Sequence, residues 1–393
     1  MAEPEQPPSP EQPPSPEQPL PSGGSAISKG KEEEEEKMVI VICAVTGFQG
    51  EAIVDRLVQS STTTSATTST SSKKMEIRGL TRDGNGPKAQ ALIAQHPEDI
   101  FTLIQVDYSS RKSLRRAFQG AHSLYLNCPM AMTGHDPQGY QRLIDCAIQA
   151  GIRHIVYSSL LQLPHSSEQN NEDSIPPHWT SARHTEGYLA IRQDETKLAF
   201  DYHVLRLAPH FNDTLQLKYD NNANTSASDN NGVTWIAYPW PPSIRTPTVS
   251  AKDVARIAVA LLLQPDRLPN GAVVPVATDY ANPHEMAQYM TLAIANANDT
   301  NKDTSIIQAH QPILLKPHAM LSYEQQCLVA MGDYLAQQQS QFGIVKDDWG
   351  KKQTKHKYKL QDILLQQQSQ DSEEPLETVQ AFVQRVFGAG QTK

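Results

Sequence analysis

From Val39 to Ile42 four β-branched residues follow one another without a polar break, and further on Ile53, Val54, Leu57 and Val58 recur at three- and four-residue steps. The first pattern predicts a strand buried on both faces; the second predicts an amphipathic helix lying on it. The same alternation continues along the chain. Short apolar runs predict strands over Met75–Leu80, Phe101–Val106, Ser123–Leu126, His154–Tyr157 and His203–Leu207. Between them, helical spacing covers Lys88–Ala94, Ser113–Phe118 and Gln138–Ala150, the last closed by Gly151. Val254, Ile257, Ala258, Leu261 and Leu262 keep helical spacing and are expected in the core. Strands and helices alternating at this pace predict an α/β protein with a Rossmann-like, doubly wound parallel sheet, with ligands at the carboxyl ends of the strands.

The pattern fails in four places. Residues 1–37 carry a repeated PEQPPSP and a run of five glutamates, and are expected to form a disordered tail. Residues 60–74, mostly Ser and Thr, are expected to be a disordered surface insertion. Trp235, Tyr238 and Trp240 form an aromatic cluster, expected on a loop that covers apolar surface or caps a ligand. Lys351–Lys359 is a basic run, read as a solvated face ahead of a nuclear import signal.

Composition narrows the function classes. The polar tail and insertion account for a hydrophobic content of only 38% in a chain of 393 residues. A net charge of -9 argues against a nucleic-acid surface. The four cysteines, Cys43, Cys128, Cys146 and Cys327, have no paired spacing, which predicts reduced thiols, no metal site and a cytoplasmic or nuclear setting. No signal peptide or membrane-spanning run is expected.

The candidate chemistry lies in the turn after the first strand. Ala44, Gly47 and Gly50 have the A-x-x-G-x-x-G spacing of a dinucleotide fingerprint, set between strand and helix. Gly47 would let backbone approach a pyrophosphate, and Gly50 would let the helix pack on the sheet. Ala44 stands where the first glycine usually sits. After the second strand, Arg82 replaces the acidic residue that would hold an NAD ribose; with Lys88 nearby it suits a 2′-phosphate, so NADP(H) is the expected cofactor. Asp107 and Tyr108, after the third strand, are read as an adenine contact, although a helix N-cap accounts equally well for the aspartate.

VTGFQG, the TRD after strand two, VDYSS, AGIRHIVYSSL, LRLAPHFND and SIRTPTVSAKDVARIAVALLLQPDRLPNGAVVPVATD agree in order with one family. The chain resembles the NmrA-type proteins, atypical members of the short-chain dehydrogenase/reductase superfamily. The resemblance covers residues 38–295 and, more faintly, the stretch near Leu376–Phe387. It implies an NADP-binding Rossmann domain over 38–295 and a smaller C-terminal α/β subdomain, to which residues 296–393 add helices. It adds Thr46, Phe48, Gln49, Asn127, Tyr157, His184, Pro209 and Phe211 to the cofactor site. It implies a regulatory protein that senses NADP(H) state by binding a partner such as a transcription factor, with no membrane or direct nucleic-acid contact. The alternative it implies is an NADPH-dependent reductase of a small carbonyl, quinone or phenylpropanoid-like substrate.

Reductases of this superfamily need a tyrosine with a lysine four residues on, and a serine after strand five. Ser158 stands where that serine would be. The helix that follows offers His184 and Tyr188 in one register, and Tyr188 with Arg192 in another; neither gives a Tyr-x-x-x-Lys couple. Arginine is not a conservative exchange for that lysine. Tyr188 is therefore read first as a ring packed at the pocket wall and second as the catalytic phenol, with Ser158 beside it.

Overall fold

The computed structural model describes residues 37–67, 74–127, 138–161, 177–196, 200–211, 234–238, 246–282 and 310–314, with short pieces at 284–286, 288–289, 376–378 and 380–381. The expected N-terminal tail up to residue 36, Trp240 and the basic run at 351–359 lie outside these residues.

The strands are β1 (Met38–Ile42), β2 (Met75–Thr81), β3 (Phe101–Gln105), β4 (Ser123–Leu126), β5 (His154–Leu160), β6 (Asp201–Leu207), β7 (Thr234–Tyr238), β8 (Thr246–Thr248), β9 (Val273–Val276), β10 (Asp279–Ala281) and β11 (His310–Leu314). The helices are α1 (Phe48–Thr67), α2 (Pro87–Gln95), α3 (Arg111–Phe118), α4 (Gly139–Gln149), α5 (Pro177–Thr196) and α6 (Ala251–Leu263). Seven strands form one parallel sheet in the order β3-β2-β1-β4-β5-β6-β9. The order reverses at β1, so β1 and β4 flank the crevice where such sheets take a ligand.

The continuous apolar reading of β1 is explained by two cores. Ile40 and Ile42 face one, with Ile53, Val54 and Leu57 of α1 and the apolar residues of α6. Val39 and Val41 face the other, with Leu114 and Phe118 of α3, Leu143 and Ile144 of α4, and Leu189 of α5. The alternation of side chains along a strand thus serves both faces.

Two small sheets complete the fold: β8 pairs antiparallel with β10, and β7 pairs parallel with β11. Trp235 and Tyr238 accordingly belong to strand β7 and not to a loop. Helix α1 runs to Thr67, so the first part of the Ser/Thr stretch is helical where a disordered insertion was expected; residues 68–73 lie outside the described set. The Ser60 and Ser61 hydroxyls donate back to the carbonyls of Arg56 and Val58 at 2.9 and 2.7 Å, so each finds a partner within the helix. Near the C-terminus, the Glu377 N–H donates to the buried Asp253 carboxylate at 2.8 Å, beside the Arg256 guanidinium. Among the described residues no helix is long and apolar enough to cross a membrane.

Candidate nucleotide site

The turn between β1 and α1 is built around Ala44, whose φ of 50° lies in the left-handed region. That conformation costs an L-residue roughly 1–2 kcal/mol, and the surroundings hold it in place. The Ala44 N–H donates to the Tyr108 phenol at 3.0 Å, and the Ala44 carbonyl accepts from the Gly47 N–H at 3.0 Å. Tyr108, buried under the turn, donates in turn to the Leu80 carbonyl at 3.3 Å. On the next residue, the Val45 N–H donates to the same carbonyl at 3.0 Å. The turn that usually needs glycine is thus fixed by a tyrosine from the end of β3.

Gly47 and Gly50 do different work. A Cβ on Gly47 would stand 3.3 Å from the Ala44 oxygen, a tight contact that the turn would have to relieve by a few tenths of an ångström. A Cβ on Gly50 would stand 2.5 Å from the Val45 Cα and 2.7 Å from two backbone oxygens, which no relaxation of a side chain could relieve. Gly50 sets how closely α1 approaches the turn.

Arg82 is exposed directly after β2 and has no hydrogen bond or ion pair among the described residues. Lys88, exposed in the first turn of α2, holds its ammonium 5.6 Å from the centroid of Phe48. This cation–π contact links the starts of α1 and α2, beside the loop that carries Arg82. Burial pushes the Glu51 carboxyl up, and the Lys88 charge opposes that shift. Asp107 is exposed. Its carboxylate accepts from the Ser109 hydroxyl and N–H at 2.6 and 2.9 Å, which hold its pKa below the usual range. The N-cap of α3 is Ser110, which accepts from the Ser113 N–H.

At the carboxyl ends of β4, β5 and β6 the side chain of Gln49 is a hub. Its Oε1 accepts from the Tyr125 phenol at 2.6 Å and from the Ser158 hydroxyl at 2.9 Å. Its Nε2 lies 2.8 Å from Nε2 of His210. One side chain in the first turn of α1 therefore ties together three strand ends. Tyr125 is fully buried and its phenol is pushed well above the usual range by desolvation. His210 is 8% exposed, and burial pulls it down to about 4, so the ring is neutral at physiological pH. Asn127 after β4 and Pro209 after β6 are half-buried, as is Thr46 in the turn after β1, and Phe211 is fully buried.

On the other face of the sheet the hydroxyls are committed elsewhere. Ser159 donates to Glu186 at 2.5 Å, and Glu186 forms a bidentate pair with Arg206, its closest contact 2.6 Å. The Tyr188 phenol donates to Asp145 of α4 at 2.8 Å. Desolvation and that hydrogen bond push it up to about 12. Arg192, in the place a lysine would take, pairs with the same Asp145 at 3.2 Å. Tyr157 is a core residue, its ring 5.5 Å from that of Tyr140 in an edge-on contact, and His184 is exposed on α5.

The geometry brings Ala44, Gly47, Gly50, Gln49 and Ser158 to one edge of the sheet, with Tyr108 beneath the turn, and directs Tyr188 toward α4. Tyr125, Glu186 and Asp145 were not singled out from the sequence. Tyr125 reads as one more apolar position of a strand, and Glu186 and Asp145 as solvated helix positions.

Comparison with known proteins places the chain in a family. The NmrA-like family model matches residues 35–320, and the chain belongs to that family. It is 30% identical over 125 residues to the NmrA-like family domain-containing oxidoreductase ptmS of Penicillium ochrochloron; the match takes in 30% of this chain and spans 33% of that relative's length. The fold is similar to that of NmrA, a negative transcriptional regulator solved in complex with NADP, with a TM-score of 0.59 and 17% identity over 90% of this chain and 96% of the other. It is also similar to the NADPH-dependent quinone oxidoreductase QOR2 of Escherichia coli, solved with NADPH, with a TM-score of 0.54 and 20% identity over 88% and 99% of the two chains.

Proposed function

We propose that this chain is an NADP(H)-binding NmrA-like regulatory protein, a sensor of nucleotide redox state that acts by binding a protein partner, a transcription regulator. The nucleotide pyrophosphate meets the N-terminus of α1, beside the turn whose Ala44, Val45 and Gly47 N–H groups are bonded within the protein. Its 2′-phosphate pairs with Arg82 and Lys88 through charge-assisted bonds. Such a role puts the protein in the cytoplasm or the nucleus.

The observation that carries the regulatory side of this reading is the Tyr188–Asp145 hydrogen bond of 2.8 Å. A reductase needs a phenol whose pKa is lowered toward neutrality by a neighbouring cation. Here desolvation and the hydrogen bond donated to a carboxylate keep the proton on the phenol and push it up to about 12. The similarity to NmrA, a transcriptional regulator bound to NADP, points the same way.

The second reading is an NADPH-dependent reductase of a quinone, carbonyl or phenylpropanoid-like substrate. It is favoured by the Ser158 hydroxyl at the end of β5, within the Gln49 hub. The two are separated by following NADPH absorbance with a panel of quinones and aldehydes. The regulatory reading expects no oxidation above the protein-free rate; steady turnover abolished by Tyr188→Phe overturns it.

A further inference from the structure

The loop between β2 and α2 carries two side chains with opposite claims on an adenosine ribose. Arg82 suits a 2′-phosphate, and Asp83, the next residue, is of the type that accepts from the 2′-hydroxyl of NAD. Both are exposed. The loop turns the Asp83 carboxylate back on itself. Its Oδ1 accepts from the Asn85 N–H at 3.0 Å, and its Oδ2 lies over Gly86, 2.7 Å from where a Cβ on that residue would stand. Gly86 is the N-cap of α2 and has an ordinary extended backbone, with φ -64° and ψ 155°, so no left-handed conformation calls for glycine there. What the missing side chain leaves is room for the carboxylate. The rest of the loop is held from its neighbours. The Asp83 N–H donates to the buried Thr81 hydroxyl at 3.3 Å. The Gly84 N–H donates to Oε1 of Gln105, at the end of β3, at 3.3 Å, and the Gly84 carbonyl accepts from Nε2 of Gln90, on α2, at 2.9 Å.

We propose that Asp83 is a parked carboxylate and Gly86 its berth, and that together they determine the preference of this loop for a 2′-phosphate over a 2′-hydroxyl. The inference rests on the nucleotide-binding reading above. Folded onto Gly86, the carboxylate neither accepts from a ribose hydroxyl nor neutralises Arg82, one residue away. Released from that position it would do both. It would offer an acceptor to the hydroxyl of NAD, pair with Arg82 and repel a 2′-phosphate. Gln105 and Gln90 are positioning residues: by holding the Gly84 peptide from both sides they keep the loop in the form that parks Asp83.

The test is a calorimetric titration of wild type, Gly86→Ala and the double variant Gly86→Ala with Asp83→Asn, using NADP and NAD. The added Cβ meets the free end of the Asp83 side chain first, so the carboxylate gives way and not the backbone. In Gly86→Ala the affinity for NADP is expected to fall about tenfold, the scale of one hydrogen bond to a charged group, while that for NAD holds or rises. Asp83→Asn keeps an acceptor for Asn85 without the charge, and is expected to restore the NADP affinity. A merely structural role for Gly86 would lower both affinities together; that result, no change in either, or no restoration by Asp83→Asn overturns the proposal. Wild type that binds NAD as tightly as NADP overturns it too, while nucleotide binding stands. If wild type binds neither nucleotide, both readings fall. Should Gly86→Ala fail to fold, Gln105→Leu decides. A lower ratio of NADP to NAD affinity in that variant upholds the proposal, and an unchanged ratio overturns it.

Discussion

The Tyr188 phenol donates to the Asp145 carboxylate at 2.8 Å, joining α5 to α4 on the face of the sheet opposite α1 and α6. Arg192 and Arg111 reach the same carboxylate at 3.2 and 3.7 Å. Tyr188 and Arg192 are four residues apart, so one face of α5 supplies both. The group is an inter-helix clamp, and its polarity is the reverse of what proton transfer to a substrate requires.

Tyr188→Phe is therefore expected to lower stability by about 1 kcal/mol, the ordinary net value of one hydrogen bond, with nucleotide affinity unchanged. Urea unfolding and calorimetric titration of the same preparation check both halves. A tenfold loss of NADPH affinity with stability intact would place the phenol at the cofactor instead.

The two ends of the glycine turn should respond in opposite directions. Ala44→Gly removes the strain of a φ of 50°. Glycine's greater freedom in the unfolded chain offsets part of this, leaving a net gain of roughly 0.5 kcal/mol. Gly50→Ala introduces a Cβ 2.5 Å from the Val45 Cα. It should cost about 3 kcal/mol or more, as overpacking against rigid backbone does. Gly47→Ala, with a nearest contact of 3.3 Å, should spare the fold and weaken nucleotide binding. Thermal unfolding of the three variants ranks them; an equally stable Gly50→Ala would mean that the turn is looser than described.

Much of this was legible in the chain. Each strand from β1 to β6 and each helix around them carries its own apolar pattern, because every one buries a face against a neighbour. β9 was not separated from its surroundings, since Val273–Val276 is interrupted by Pro275. The turn glycines were legible because their spacing reflects backbone geometry. The Gln49 hub was not, because its partners Tyr125, Ser158 and His210 are far apart in sequence and meet only where the strand ends converge. For the same reason Tyr188 could be read as a wall residue or a catalytic phenol until Asp145, from another helix, was found against it.

Burial of neutral histidines makes stability depend on pH. Desolvation pulls His154 down to about 3 and His178 to about 4. In the buried pair, His203 Nε2 donates to the Leu268 carbonyl and His154 Nε2 donates to His203 Nδ1, leaving His154 Nδ1 as a lone pair with no partner among the described residues. The unfolded chain takes up these protons near pH 6.5 and the folded chain does not. The stabilisation is thus complete above about pH 6.5 and is lost as pH falls toward the folded values, by roughly 1–2 kcal/mol per histidine at pH 5. Urea midpoints from pH 7 to 5 should fall, and should fall less steeply in His154→Gln. An identical slope in the variant would contradict the assignment.

The most direct measurement is a calorimetric titration with NADP, NADPH, NAD and NADH on wild type and Arg82→Ala. The nucleotide-sensing reading predicts that wild type binds all four, prefers the phosphorylated pair, and loses that preference in the variant while retaining NAD and NADH. Binding of none of the four would contradict it, and would mean that Ala44 closes the turn to a pyrophosphate.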